Sequence, residues 1–348
     1  MTITRRTLLW GSAIALTGCR AFAPEIDFRI AGLSGALPNQ VIDRFRNEFH
    51  RPTELKPANT PVELWRWLQS PPVPAADVVS LGDGWLASAR TQGQIQPLPD
   101  RWQELIPQFA ELPIFWQNQG LGGGWGIPYR WGSTAIAYRT NLISPPIRRW
   151  EDLWRPELKH RLSLPDDPRE VIGLVLKTLG QSYNHPDPEQ VPGLMSRLKS
   201  LHQQVLLYSS DAYAAPFLSE NTWVAVGWTT DLLPLVERYP NVAVTIPEEG
   251  TALWYDLWVL PRIQRQLELA CRWMNFCLTP AIAGQISTYT AATSPLSRDR
   301  LGLAEPTLRE QEKFFPDAIF ENSETLSPLS DRQTLKYEKL WQSMRLSP

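Results

Sequence analysis

The stretch LSLPDDPREVIGLVL, Leu162 to Leu176, places Asp166 and Asp167 after a short apolar run and before Pro168, Arg169, Glu170 and a helical pattern. A helix N-terminus leaves backbone amides without partners and favours nearby negative charge. Asp166 or Asp167 can therefore act as the N-cap, with Pro168 at the first helical position and Glu170 as a first-turn acid. Carboxylates held there also stay ionised, and they can take an ammonium through charge-assisted hydrogen bonds. On these residues alone, capping and cation binding both stand.

Other chemistry is sparse. The chain carries no Gly-x-Ser-x-Gly, no His-Glu-x-x-His and no P-loop. The four histidines, His50, His160, His185 and His202, fall in polar, loop-like or helix-face contexts with no evident nucleophile beside them. Asp167 and Asp256 can be drawn as a glycosidase pair, but nothing local supports that, and we expect no enzyme activity. No cofactor or metal is expected: Cys271 and Cys277 lack metal-ligand spacing and lie almost two helical turns apart, beyond disulfide reach. Both read as buried free thiols. A formal charge of −2 with no Lys/Arg stripe gives no footprint for nucleic acid. The 16 tryptophans are a surplus of flat rings, which suits a core and equally a site for organic cations or sugars.

The elements that must position these groups alternate strand and helix. IDFRIAGL reads as a strand, and PNQVIDRFRNEF as a helix with Val41, Ile42, Phe45 and Phe49 on one face. ADVVSLG is a short buried strand, and GWLASARTQGQIQPL reads as helix, turn, strand. STAIAYRT alternates as a strand, and REVIGLVLKTLG is a helix with Gly180 as its C-cap. TWVAVGWTTDLLPLVERYP is strand then helix, and VAVTIPEEGTALWYDLWVLP a strand pair broken by a turn. LELACRWMNFCLTPAIAGQIST reads as one long amphipathic helical region. In the tail, Leu335, Leu340 and Met344 are placed to dock a last helix on the body. At 348 residues there is room for two lobes, each an α/β unit.

The start of the chain reads as an address. Arg5 and Arg6 precede an apolar run ending at Leu16 that is too short to span a bilayer. Thr4 to Leu9 partly resembles a twin-arginine export signal, and Leu16-Thr17-Gly18-Cys19 resembles a lipobox, which makes residues 1–18 a signal peptide and Cys19 the lipidated first residue.

Four collinear segments, GIPYRWGSTAIAY, WEDLWRPELKHRLSLPDDPREVIGLVLKTLG, VAVGWTTDLLPL and IPEEGTALWYDLWVLP, resemble the spermidine/putrescine-binding proteins of bacterial ABC importers. The resemblance runs over about residues 26 to 300. It implies a two-lobed, hinged periplasmic binding protein of the type II kind, α/β in class, with ligand in the cleft between lobes. Lobe 1 would be residues 26–131 with 256–300, and lobe 2 residues 132–255 with 301–348. The implied function is that of a lipid-anchored, monomeric solute-binding protein on the outer face of the cytoplasmic membrane, delivering a polyamine-like cation to a membrane permease.

By the same resemblance Asp167 and Glu170 hold the ligand's amino groups, Trp228 is a cleft ring, and Trp254 with Asp256 brings a ring and a carboxylate. Positions 254 and 256 of a strand point to one side, so both can face one cleft. A closed cleft with Asp256 inside wants a cationic ligand or a nearby arginine. The other half departs from the family's pattern. Leu33, Ala36, Leu81 and Ala292 stand where rings and hydroxyls are expected, while Asp83 adds a carboxylate and Trp85 a ring from a shifted position. Another amine, a sugar, or a non-transporting sensor role in the envelope are the alternatives these departures open.

Overall fold

The computed structural model describes residues 26–72, 75–100, 124–296, 301 and 321–346. The leader and Cys19 lie outside the described residues, as does Phe314 to Phe320 ahead of the tail. The strands are β1 (Phe28–Leu33), β2 (Thr53–Ala58), β3 (Val78–Gly82), β4 (Ile95–Gln96), β5 (Ile127–Arg139), β6 (Leu162–Leu164), β7 (Val205–Tyr208), β8 (Val224–Trp228), β9 (Val242–Thr245), β10 (Ala252–Pro261) and β11 (Glu324–Thr325). The helices are α1 (Asn39–Phe49), α2 (Pro61–Gln69), α3 (Asp83–Thr91), α4 (Pro168–Thr178), α5 (Leu194–His202), α6 (Ala214–Leu218), α7 (Thr229–Arg238), α8 (Leu267–Cys277), α9 (Pro280–Thr290) and α10 (Asp331–Arg345).

The strands follow the order β2-β1-β3-β10-β5-β8-β6-β7. At one end β1 pairs in parallel with β2 and β3; at the other β6 pairs in parallel with β7 and β8. Parallel strands need covered crossovers, and the apolar runs VVSLG and VAVGW are buried as such strands require. Between the two parallel sets lie β5 and β10, which pair antiparallel with each other from Leu253↔Ser133 to Trp258↔Ile127. β5 is buried along its whole length. Its first half faces β10, and from Thr134 onward it pairs with β8, and from Ile136 with β9.

The core divides along the same line. One cluster gathers Phe28, Phe45, Trp258, Trp273 and Phe276, and its neighbour gathers Leu64, Trp65, Val79, Leu81 and Leu257. On the other side Trp150, Leu162, Ile172, Leu198 and Tyr337 form a third cluster, and Tyr213, Phe217 and Leu232 a fourth. Ala252 belongs to the second side and Leu253 to the first.

Several details differ from expectation. β9 and β10 do not pair with each other; both pair with β5, on its two halves. The long helical region is two helices, because Thr279 caps a new start and Pro280 takes its first position, where a missing N–H is harmless. Cys271 and Cys277 are free and buried, as expected. α4 ends one residue earlier than expected, at cap Leu179, and Gly180 follows in the left-handed region at φ 67°. In α10 the docking side chains are Tyr337, Leu340 and Met344; Leu335 is 64% exposed, because four residues from Tyr337 to Trp341 and seven to Met344 set a face that leaves position 335 on the outside. No helix among the described residues is long and apolar enough to cross a membrane.

Candidate functional site

Three strands end at one place and each delivers a side chain there. β3 ends at Gly82 and runs directly into α3, whose first residue is Asp83. β6 ends at Leu164, two residues before the Asp166-Asp167 corner that opens α4. β8 ends at Trp228, which caps α7. The carboxyl ends of parallel strands are where open α/β folds place their ligands. β5 and β10 pass between these ends and contribute Arg130, Gly132, Thr134, Trp254 and Asp256 on one face.

The corner divides its labour. Asp167 is the N-cap: its Oδ1 accepts from the backbone N–H of Arg169 at 2.7 Å and of Glu170 at 3.2 Å. Asp166 Oδ1 accepts from the Ser210 amide at 2.9 Å and hydroxyl at 2.5 Å, tying the corner to the segment after β7. Arg169 turns away, donating to the Ser327 carbonyl and to Asn184 Oδ1, both at 3.0 Å, and stacking over Tyr337. Glu170 is 6% exposed and points inward, where Thr134 donates to its Oε2 at 2.9 Å.

Among the described residues Glu170 therefore has a hydroxyl and no cation hydrogen-bonded to it. Burial raises its pKa to about 8, with the charges of Asp167 and Asp83 pushing the same way against Thr134 and Arg169. Asp83 accepts from the Tyr255 N–H at 3.3 Å through Oδ1, while Oδ2 is buried without a hydrogen-bond partner. Burial raises Asp83 to about 7, and the Asp256 charge adds to it. Asp83 and Glu170 thus lie near enough to feel one another, although they belong to elements on opposite sides of β5 and β10.

Asp256 is different, because Arg130 already occupies it. Arg130 Nε and Nη2 both reach Asp256 Oδ2 at 2.7 Å, with the two side chains 9% and 10% exposed. Arg130 and Asp256 are register partners across β5 and β10. The sequence assigns Asp256 a ligand cation or a nearby arginine without singling one out; the arginine is present, and it is Arg130. Its signal was a charge inside GIPYRWGSTAIAY, an otherwise apolar and small-residue strand, where a buried cation needs a counter-charge.

Trp254 lies across Gly132, its register partner. A Cβ at position 132 would come within 2.4 Å of the Trp254 ring and 2.7 Å of Thr229 Oγ1, so only glycine admits the ring there. The Arg130 guanidinium sits 5.8 Å from the centre of that ring. Trp254 Nε1 and Ser133 Oγ are buried without hydrogen-bond partners. Trp228 pairs in register with Thr134, is half-buried, and rests edge-on against Tyr213, whose hydroxyl accepts the Trp228 N–H and donates to Asp231. Trp85 stacks on Trp65 at 5.0 Å beside Gly82. The substituted positions Ala36, Leu81 and Ala292 are each about 1% exposed, packed as core. Among the described residues no group of three or more His, Cys, Asp or Glu side chains is placed to hold a metal ion.

Residues 74–317 match the family of bacterial extracellular solute-binding proteins, and the chain belongs to that family. It is a binding protein and not an enzyme. The chain is 28% identical over 277 residues to the spermidine/putrescine-binding periplasmic protein of Salmonella typhimurium, covering 78% of each. It is 26% identical over 241 residues to the putrescine/cadaverine-binding protein of Pseudomonas aeruginosa, covering 65% of this chain and 67% of that one. Its fold is similar to a crystal structure of the spermidine/putrescine ABC transporter substrate-binding protein PotD from Streptococcus pneumoniae, at a TM-score of 0.83 and 23% identity over 92% of this chain and 98% of the other. The fold is that of the periplasmic binding proteins, mixed α/β around a central sheet.

Proposed function

We propose that this protein is the extracytoplasmic substrate-binding component of an ABC importer and that its ligand is an aliphatic amine, the class of putrescine and spermidine. The observation that carries the reading is the pair of buried carboxylates, Asp83 and Glu170, neither with a cation hydrogen-bonded to it among the described residues, with Trp228 in register with Thr134, whose hydroxyl holds Glu170. A desolvated carboxylate is costly until a cation meets it, and a tryptophan face adds about 0.5 to 2 kcal/mol to that cation's binding. Asp167, Asp256 and Trp85 complete the proposed contact set, with Asp256 shared with Arg130. The names of the relatives support the same ligand class.

The proposed lobes are residues 26–131 with 256–300, and 132–255 with 301–348. The division of the core supports this arrangement, with the second crossing drawn back to Ala252/Leu253 and Leu301 moved to the first lobe. The lipobox-like Leu16 to Cys19 supports anchoring at Cys19. Thermal unfolding of the protein lacking residues 1–19, with and without putrescine, spermidine, simpler amines and sugars, tests the ligand. At a hundred times its dissociation constant a ligand adds about 2.7 kcal/mol, a clear shift. A folded protein that no amine stabilises would reject the amine reading, and a shift with sugars alone would replace it.

A further inference from the structure

We infer that Arg130 is a built-in counter-cation that fills one of two amine seats, so that the cleft selects a ligand with a single ammonium group over a diamine of the same length. The inference rests on the amine reading proposed above and narrows it. A chain with an ammonium at each end needs two separate anionic seats, each best made of a carboxylate and a ring face. In this protein Trp254 and Asp256 form one such seat, and it is taken: the guanidinium makes two 2.7 Å contacts to Asp256 Oδ2 and lies by the Trp254 ring. The pair is held in register by two antiparallel strands and is almost wholly out of solvent. An arriving ammonium would have to displace a charge that is covalently part of the strand.

The second seat is open. Among the described residues Asp83 Oδ2 is buried with no hydrogen-bond partner, and Glu170 has only the Thr134 hydroxyl on its carboxylate. Both are buried acids that a single ammonium's charge would stabilise, and the Asp83 charge already reaches Glu170. The remainder of the ligand then extends toward the filled seat. Trp254 Nε1, buried without a hydrogen-bond partner among the described residues, suits a hydroxyl or other neutral polar group there. The ligand class is therefore a short alkyl ammonium with an uncharged polar end.

Putrescine and 4-aminobutanol differ only in exchanging the second ammonium for a hydroxyl, and calorimetric titration of both against the wild-type protein reads the preference directly. The expected result is tighter binding of 4-aminobutanol. Arg130→Met should reverse the order, with the putrescine/4-aminobutanol affinity ratio rising at least about tenfold as Asp256 becomes free for the second ammonium. Because Arg130→Met leaves Asp256 buried and unpaired, the double variant Arg130→Met/Asp256→Asn is measured beside it; it should keep 4-aminobutanol and gain no putrescine. Wild-type protein that binds putrescine the more tightly, or a ratio that is the same in wild type and Arg130→Met, overturns the inference while leaving the amine reading in place. Failure of the folded wild type to bind either compound overturns both.

Discussion

Glu170 and Asp83 are acids whose surroundings favour the proton over the charge, and that has consequences of opposite sign for stability and for binding. Glu170 holds its proton up to about pH 8 when folded, against an ordinary value of 4.5. Between those values the folded chain binds more protons at this site than the unfolded chain does, so stability falls as pH rises across the window. Groups facing Glu170 are Asp167 and Arg169 from its own corner, Thr134 from β5, Asp83 from α3 and Tyr183 beyond α4. Only Arg169 among them is cationic, and its hydrogen bonds go elsewhere. Amine binding runs the other way, because the carboxylate must ionise to meet an ammonium. We predict that amine affinity rises from about pH 6 to about pH 8.5 while the ligand-free protein loses stability over the same range. Glu170→Gln should flatten both trends, and urea midpoints with parallel titrations at several pH values check it. A pH slope unchanged in Glu170→Gln would place the titrating group elsewhere.

At the scale of elements, β5 does the most positioning, and one glycine sets what it can position. Gly132 leaves the space that the Trp254 ring occupies beside Thr229. A methyl at this position meets ring atoms of a large, packed side chain on one side and a hydroxyl on the other, so the ring has to move. We predict that Gly132→Ala lowers amine affinity at least about tenfold with a stability loss of about 1 to 3 kcal/mol, the range for overpacking, as read by titration and urea unfolding. Intact affinity would mean that Trp254 is not a ligand contact. The elements themselves were largely legible, because period-2 and period-3.6 apolar patterns report burial on one face, and β1, α1, β3, α4 and β8 follow them. Legibility failed where partners decide. Nothing local says that β9 and β10 each pair with β5 and not with one another. Nothing but Thr279-Pro280 marks the break between α8 and α9. Tyr337 rather than Leu335 docks α10, since the face is chosen by what lies beneath it. The corner acids were legible as a helix start, with Asp167 as its N-cap, but Arg130 lies 126 residues from Asp256 in the chain, and only the register of β5 with β10 joins them.

For the whole molecule, the open seat is divided between the two parts that the core clusters define. Asp83 starts a helix packed with the cluster around Trp65 and Leu81; Glu170 lies in α4, packed with the cluster around Trp150 and Ile172. What joins these parts in the sheet is the pair of strands β5 and β10. Two carboxylates on either side of such a joint, with the Asp83 charge reaching Glu170, repel when ionised, and the repulsion opposes closing of the parts on each other. A cation between them removes the repulsion and attracts both, so its binding free energy favours the closed arrangement, which is the differential affinity that a hinge motion requires. Small-angle scattering should then show a smaller radius of gyration with saturating amine than without it at pH 8.5. Asp83→Asn/Glu170→Gln should contract little on adding amine, because neither side retains the charge that the ligand bridges. Ligand-free wild type should also be more expanded at pH 9 than at pH 6, since ionisation alone then sets the repulsion. Contraction by amine that persists undiminished in the double variant would show that closure is driven by contacts other than the Asp83–Glu170 seat.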